Sequence, residues 1–238
     1  MSVNTDYYCI DNNYSEEQIL IRNATRDWVK KHVKPNIEEH FQRAETPSYL
    51  VKELSNIGAF GLIIPESYGG VGADYISFGL MMQELEKGDS SIRVISSIQT
   101  SLVMYAIYKF GSEEQREKYL PKLATGEMLG AFGLTEPDFG SNPSSMHSYF
   151  KEDGDNIIIN GSKMWIGNAE TADIAIVWIK DNNGDVRGVI VETKNITNFT
   201  TTTLKDKWSF RSSKTGELVF SNSVISKEQV LAQSTSIQ

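Results

Sequence analysis

Cysteine is almost missing from this chain. Cys9 is the only one in 238 residues, which excludes an internal disulfide and a thiolate-rich metal cluster. Histidine is scarce too. His32, His40 and His147 show no ligand spacing, and the first two sit among charges as solvated helix residues. No basic run occurs: 23 Lys and Arg face 31 Asp and Glu, for a net charge of −8. That balance argues against nucleic acid as a partner and is read as simple solubility. No long apolar run occurs either. The least polar stretch, IRVISSIQTSLVMYAIYKF at 92–110, holds Arg93 and Gln99 and suits a buried helix better than a membrane span. The start, MSVNTDYYCIDNN, has no basic region and no apolar segment. No signal or transit peptide is read there, and a cytoplasmic location is expected.

What is present is enough for a core: hydrophobic residues make up 39% and aromatics 10%. The first half is helical in pattern. Ser15 and Gln18 stand at the spacing of a capping box, followed by Leu20, Ala24 and Trp28 at four-residue steps, with Val29 and Val33 beside that stripe and Pro35 as the stop. A second helix fits 47–57, with Gly58 past its end. A turn-rich loop covers 63–74, and two helices fit 75–87 and 91–110. Ser112 and Gln115 form another capping box, opening SEEQREKYLPKL.

After Gly126 the period changes. Strands are read at 156–160, 173–180, 186–192, 199–204 and 217–225, with turn signals EDGDN and DNNGD between some of them. The fold class is therefore α+β: a helical domain over 1–127, then an antiparallel β-barrel domain over 128–238.

One stretch at the junction, FGLTEPDFGSN at 132–142, is too polar for a core strand and too orderly for a linker. Its hydroxyls, glycines and free N–H groups can serve an anion or a heteroaromatic edge, although glycines and Pro-Asp turns more often simply make loops. Thirty residues on, NGSKMWIGN at 160–168 offers Trp165 at a strand end, to pack on a flat ring or in the core. Arg93 and Ser97 lie one helical turn apart. By itself Arg93 would be read as a helix cap or salt bridge.

Taken together, LTEP-x-x-GS followed by K-x-WI-x-N resembles the acyl-CoA dehydrogenase family. GSEEQREKYLPKLATGE and LKDKWSFRSSKTGEL extend the resemblance over nearly the whole chain, and LEKGDSSIRVISSIQTSLVM at 85–104 is most similar to the glutaryl-CoA type. The resemblance implies an FAD site. Phe132, Gly133, Leu134 and Thr135 would line the isoalloxazine, Gly140 and Ser141 the pyrophosphate and the nearby phosphate arm of the ligand, and Trp165, Ile166 and Gly167 the other face. It also implies a substrate site of Glu86, Arg93, Val94, Ser97 and Ser141, with Arg93 facing a distal carboxylate.

The implied reaction is α,β-dehydrogenation of an acyl-CoA, here glutaryl-CoA with decarboxylation to crotonyl-CoA, in a homotetrameric parent that hands electrons to an electron-transfer flavoprotein. In this family a C-terminal helical domain carries the glutamate that takes the α-proton. No residue here matches it, so no catalytic base is assigned, and the chain alone is expected to be an inactive part of a longer parent. Gly167, where many members have Thr or Ser, leaves room for an acyl-CoA oxidase. A non-catalytic flavin- or acyl-CoA-binding module is the reading from another class.

Overall fold

The computed structural model describes residues 6–234; residues 1–5 and 235–238, which include both chain ends, lie outside the described residues. The helical half holds α1 (Glu16–Trp28), α2 (Ile37–Arg43), α3 (Ser48–Asn56), α4 (Tyr75–Glu86), α5 (Ser90–Ser97), α6 (Tyr105–Phe110) and α7 (Glu113–Ala124). Both expected capping boxes form, at Ser15 with Gln18 and at Ser112 with Gln115. A π-helical segment, Ile98–Met104, joins α5 to α6, so the expected helix over 91–110 is one rod with a widened middle. A second π turn, Val29–Val33, extends α1. The sequence reading missed α2, which is short and buries no residue fully.

The expected stripe on α1 is partly wrong. Leu20 is 67% exposed and Ala24 faces solvent, while Gln18, Thr25 and Trp28 are buried. The reason is that α1 meets α4 through polar contacts. Gln18 donates to Asp74, the cap of α4, at 2.7 Å, and Arg26 grips Glu84 with two nitrogens at 3.0 and 2.9 Å. An apolar-periodicity argument cannot see such an interface.

The second half is one curled sheet of β1 (Gly130–Gly133), β2 (Tyr149–Asp153), β3 (Asn156–Gly167), β4 (Ile174–Lys180), β5 (Val186–Glu192), β6 (Phe199–Thr203) and β7 (Thr215–Ser226). The order is β1-β4-β2-β3-β7-β6, with β5 on β4. The expected helical-then-strand architecture holds, with one departure from all-antiparallel pairing. β1 runs parallel to β4, and β2 touches β4 in parallel at Tyr149–Lys180. Neither β1 nor β2 was legible. β1 is four residues with two glycines, and β2 has four exposed positions of five.

β4 sits between two cores, which is why it reads as an unbroken apolar run. Ile174, Ile176 and Trp178 pack with the helices, against Ile98, Met104, Ile107 and Leu120. Ala175, Val177 and Ile179 point the other way, into the curl of the sheet with Phe150, Ile159, Leu218 and Phe220. A third cluster, around Trp28, Leu54, Phe60, Leu85 and Ile95, lies within the helices. Gln99, fully buried in the π segment, locks the halves together. Its amide donates to the carbonyls of Leu123 and Met128 and accepts from Gly130 N. No helix among the described residues is long and apolar enough to cross a membrane.

Candidate functional site

FGLTEPDFGSN begins inside the sheet, not outside it: Phe132 and Gly133 end β1. The chain then leaves the sheet and turns at Pro137-Asp138, where Glu136 and Phe139 exchange backbone hydrogen bonds of 3.2 Å each. Met164 N donates to Thr135 O at 2.8 Å, so the two motif stretches are physically joined. On β3 the register with β7 slips between Lys163 and Ile166, and Trp165 takes a left-handed φ of 65°. That bulge throws the indole outward, 61% exposed. Trp165 is therefore not a core residue.

The 132–142 stretch joined to this strand carries unused polar groups. Among the described residues, the Thr135 hydroxyl and the backbone N–H groups of Gly140 and Ser141 have no hydrogen-bond partner. Gly140 and Ser141 are exposed, and nothing stands within 4 Å of a side chain added at Gly140. An exposed flat ring on the strand and free donors on the loop joined to it suit a flat heteroaromatic ligand with an anionic arm. The other expected flavin residues divide. Phe132 and Leu134 are half-buried against the helix-side core, while Ile166 is buried in the sheet core and can offer only backbone.

Gly167 has a packing cause that the sequence did not reveal. A Cβ there would stand 2.3 Å from Ile98 Cδ1, so the helix rod and β3 approach closely only because this position lacks a side chain. The same approach brings the C-terminal end of α5 near the strand of Trp165. Arg93, one turn before Ser97, donates from Nε to Glu86 at 2.6 Å and from Nη1 to Ser97 at 3.5 Å. Its guanidinium lies 5.8 Å from the ring centroid of Phe210, in the loop between β6 and β7. Arg93 Nη2 has no partner among the described residues. Glu86 also accepts from Ser90 at 2.6 Å. Burial opposes its ionisation, but the hydrogen bonds from Ser90 and Arg93 outweigh that and hold the carboxyl below its ordinary range. Val94 is half-buried and packs into the helix–sheet core.

Sequence reasoning missed a buried ion pair between the two motifs. Lys163 Nζ meets Glu136 Oε1 at 2.8 Å, with side chains 0% and 5% exposed. Desolvation would raise the Glu136 carboxyl, yet hydrogen bonds from Lys163, Ser148 and His147 N bring it down to about 2. Burial pushes the Lys163 ammonium below its usual value, against the pull of Glu136. A signal was available: Lys163 continues the inward alternation of Ile157 and Ile159 on β3.

Two family models match, the acyl-CoA dehydrogenase N-terminal domain over residues 15–127 and the middle domain over 131–223. A glutaryl-CoA dehydrogenase of Desulfococcus multivorans is 35% identical over 235 residues, covering 94% of this chain and 59% of the relative. An acyl-CoA dehydrogenase of Bacillus subtilis is equally 35% identical, over 223 residues, with 92% and 59% covered. A solved glutaryl-CoA dehydrogenase from Mycobacterium smegmatis, in complex with FADH2, superposes with a TM-score of 0.93 at 40% identity, covering 97% of this chain and 59% of that one. The chain thus spans about three fifths of the length of the relatives it matches. Its two matched domains, in order and filling most of its length, make it a member of the acyl-CoA dehydrogenase family.

Proposed function

We propose that this chain forms the flavin-facing and acyl-facing walls of an FAD-dependent acyl-CoA dehydrogenase of the glutaryl-CoA type. The activity of the whole protein is then oxidation of glutaryl-CoA with decarboxylation to crotonyl-CoA, with an electron-transfer flavoprotein as acceptor. The observation that carries the substrate class is the Glu86–Arg93–Ser97 cluster held beside β3. Equal identity to a glutaryl-CoA and to an unspecified acyl-CoA dehydrogenase decides nothing, so the cluster has to.

Bound FAD would supply the two-electron redox chemistry. The residues of this chain do the rest. Trp165 would pack against the isoalloxazine, Thr135 would offer it a free hydroxyl, and Gly140 and Ser141 would offer N–H groups to phosphate. Arg93, with Nη2 open, receives the distal carboxylate, and Ser97 sits on the same guanidinium to fix its rotamer. Two carboxylates of the site are already engaged. Glu86 is committed to Arg93 and Ser90, and Glu136 is sealed behind Lys163. On this reading the chain alone binds ligand without turning it over.

Titration of the chain with FAD, followed by flavin fluorescence, tests the cofactor half; Trp165→Ala should weaken binding, and an unchanged affinity removes Trp165 from the site. In a full-length form, Arg93→Met should raise KM for glutaryl-CoA far more than for butyryl-CoA. Equal losses for both would refute the dicarboxylate assignment.

A further inference from the structure

The loop that carries Gly140 and Ser141 is closed at both ends by one buried side-chain nitrogen and its partner. At the near end, Lys163 Nζ donates to Leu134 O at 3.1 Å and to Glu136 Oε1 at 2.8 Å. At the far end, Glu136 Oε2 accepts from His147 N at 2.6 Å, and Oε1 accepts from Ser148 N at 3.0 Å. Met146 Sδ lies 3.6 Å from the same ammonium. Ser148 Oγ also donates to Ser162 O, the residue before Lys163, at 3.4 Å. Residues 137–145 are thus an excursion clasped at its neck. Beside the clasp, Met164 N holds Thr135 O, and Trp165 is the next residue.

We propose that Lys163 and Glu136 are positioning residues for the flavin-facing surface, setting the loop of Thr135, Gly140 and Ser141 against the strand of Trp165. This rests on the flavin reading above and adds to it. Fold stability alone does not account for the arrangement. A buried ion pair is commonly replaceable by apolar groups at little or no loss, and here apolar neighbours surround Lys163 in Leu218 and Met146. What apolar side chains could not do is accept two loop N–H groups and donate to a loop carbonyl. Apart from its bond to Lys163, the Glu136 carboxylate is bonded to backbone N–H groups of the loop's return leg. Both side chains are buried, so neither is assigned a catalytic role. Their action is on the position of the flavin-facing groups.

The test uses the whole 238-residue chain with FAD as probe. Glu136→Gln keeps the shape but presents an amide N–H to a site that needs an acceptor, and Lys163→Met removes the clasp's donor. Each is measured for FAD affinity, for the midpoint potential of bound flavin and for thermal midpoint. Glu84→Gln is the control. Glu84 is also buried, 2% exposed, and also ion-paired, but it lies between α1 and α4. The expected result is FAD affinity lowered about tenfold or more in Glu136→Gln and Lys163→Met, the scale on which orienting partners act, with the potential shifted. Glu84→Gln lowers the thermal midpoint and leaves both flavin readouts alone. If a single variant fails to fold, the Lys163→Met/Glu136→Gln double variant, which strands no charge, carries the same measurements. Unchanged affinity and potential in a folded variant overturn the positioning role. Equal loss in the Glu84→Gln control overturns it as well, because general loosening then suffices. Failure of the unaltered chain to bind FAD removes the flavin reading itself, and the proposal with it.

Discussion

The Lys163–Glu136 and Arg93–Glu86 pairs have similar lengths, 2.8 and 2.6 Å, in opposite surroundings. The first is 0% and 5% exposed, the second 27% and 43%. The first places both carboxylate oxygens on backbone N–H groups and one ammonium donor on a backbone carbonyl. The second leaves one guanidinium nitrogen open and one carboxylate in water. The same contact therefore has different uses. In low dielectric, with no competing water, a pair becomes a permanent strut whose loss strands a charge. In a half-wet crevice it is weak, and the donor it leaves open can take a second anion. On the proposed reading, the strut would hold the flavin wall and the half-wet pair would face the acyl wall.

The largest expected effect tests the strut. Lys163→Met should cost about 3–5 kcal/mol, because Glu136 stays buried and unpaired. Urea unfolding measures it, and a loss below about 1 kcal/mol would put the pair in the class of surface bridges. Acid should then separate the two pairs further. Folded Glu136 sits near about 2 against an ordinary 4.5, so the unfolded chain binds more protons between those values. Its contribution is complete above pH 4.5 and is lost as pH falls through about 2. Glu192, drawn down to about 2 chiefly by Lys118, adds in the same window. Glu136→Gln should flatten the acid limb of a stability–pH curve without abolishing it. An unaltered limb would mean that the carboxyl titrates normally.

A smaller effect bears on the contact that brings the two walls together. Gly167→Ala places a methyl against Ile98 Cδ1 and should cost about 1–3 kcal/mol of overpacking. Ile98→Val removes that methyl, so the double variant should recover most of the loss; strict additivity in thermal midpoints would deny the contact. The smallest effect is expected at the half-wet pair. Arg93→Met should change stability by less than about 1 kcal/mol, whatever it does to substrate choice. A larger loss would show that Arg93 is a second strut and not a receiver.

Local chemistry alone was enough for several features. The capping boxes at Ser15 and Ser112, the Pro-Asp turn, the five strands read after Gly126 and the helix-to-strand change all follow from residues a few positions apart, where the chain itself imposes proximity. The order of the LTEP and K-x-WI stretches was enough for the family. What only the tertiary structure decided lies between distant residues. It turned the face of α1 toward Thr25 and away from Leu20, because Asp74 and Glu84 of another helix supply polar partners there. It made strands of Gly130–Gly133 and Tyr149–Asp153, which have too little apolar pattern of their own and gain their ladders from β4 and β3. It also put Ile98 against Gly167, and Lys163 against Glu136. A sequence states which residues carry charge or lack a side chain. Whether a charge is a strut or a receiver depends on how much water the fold leaves around it, and that is set by packing across the whole chain.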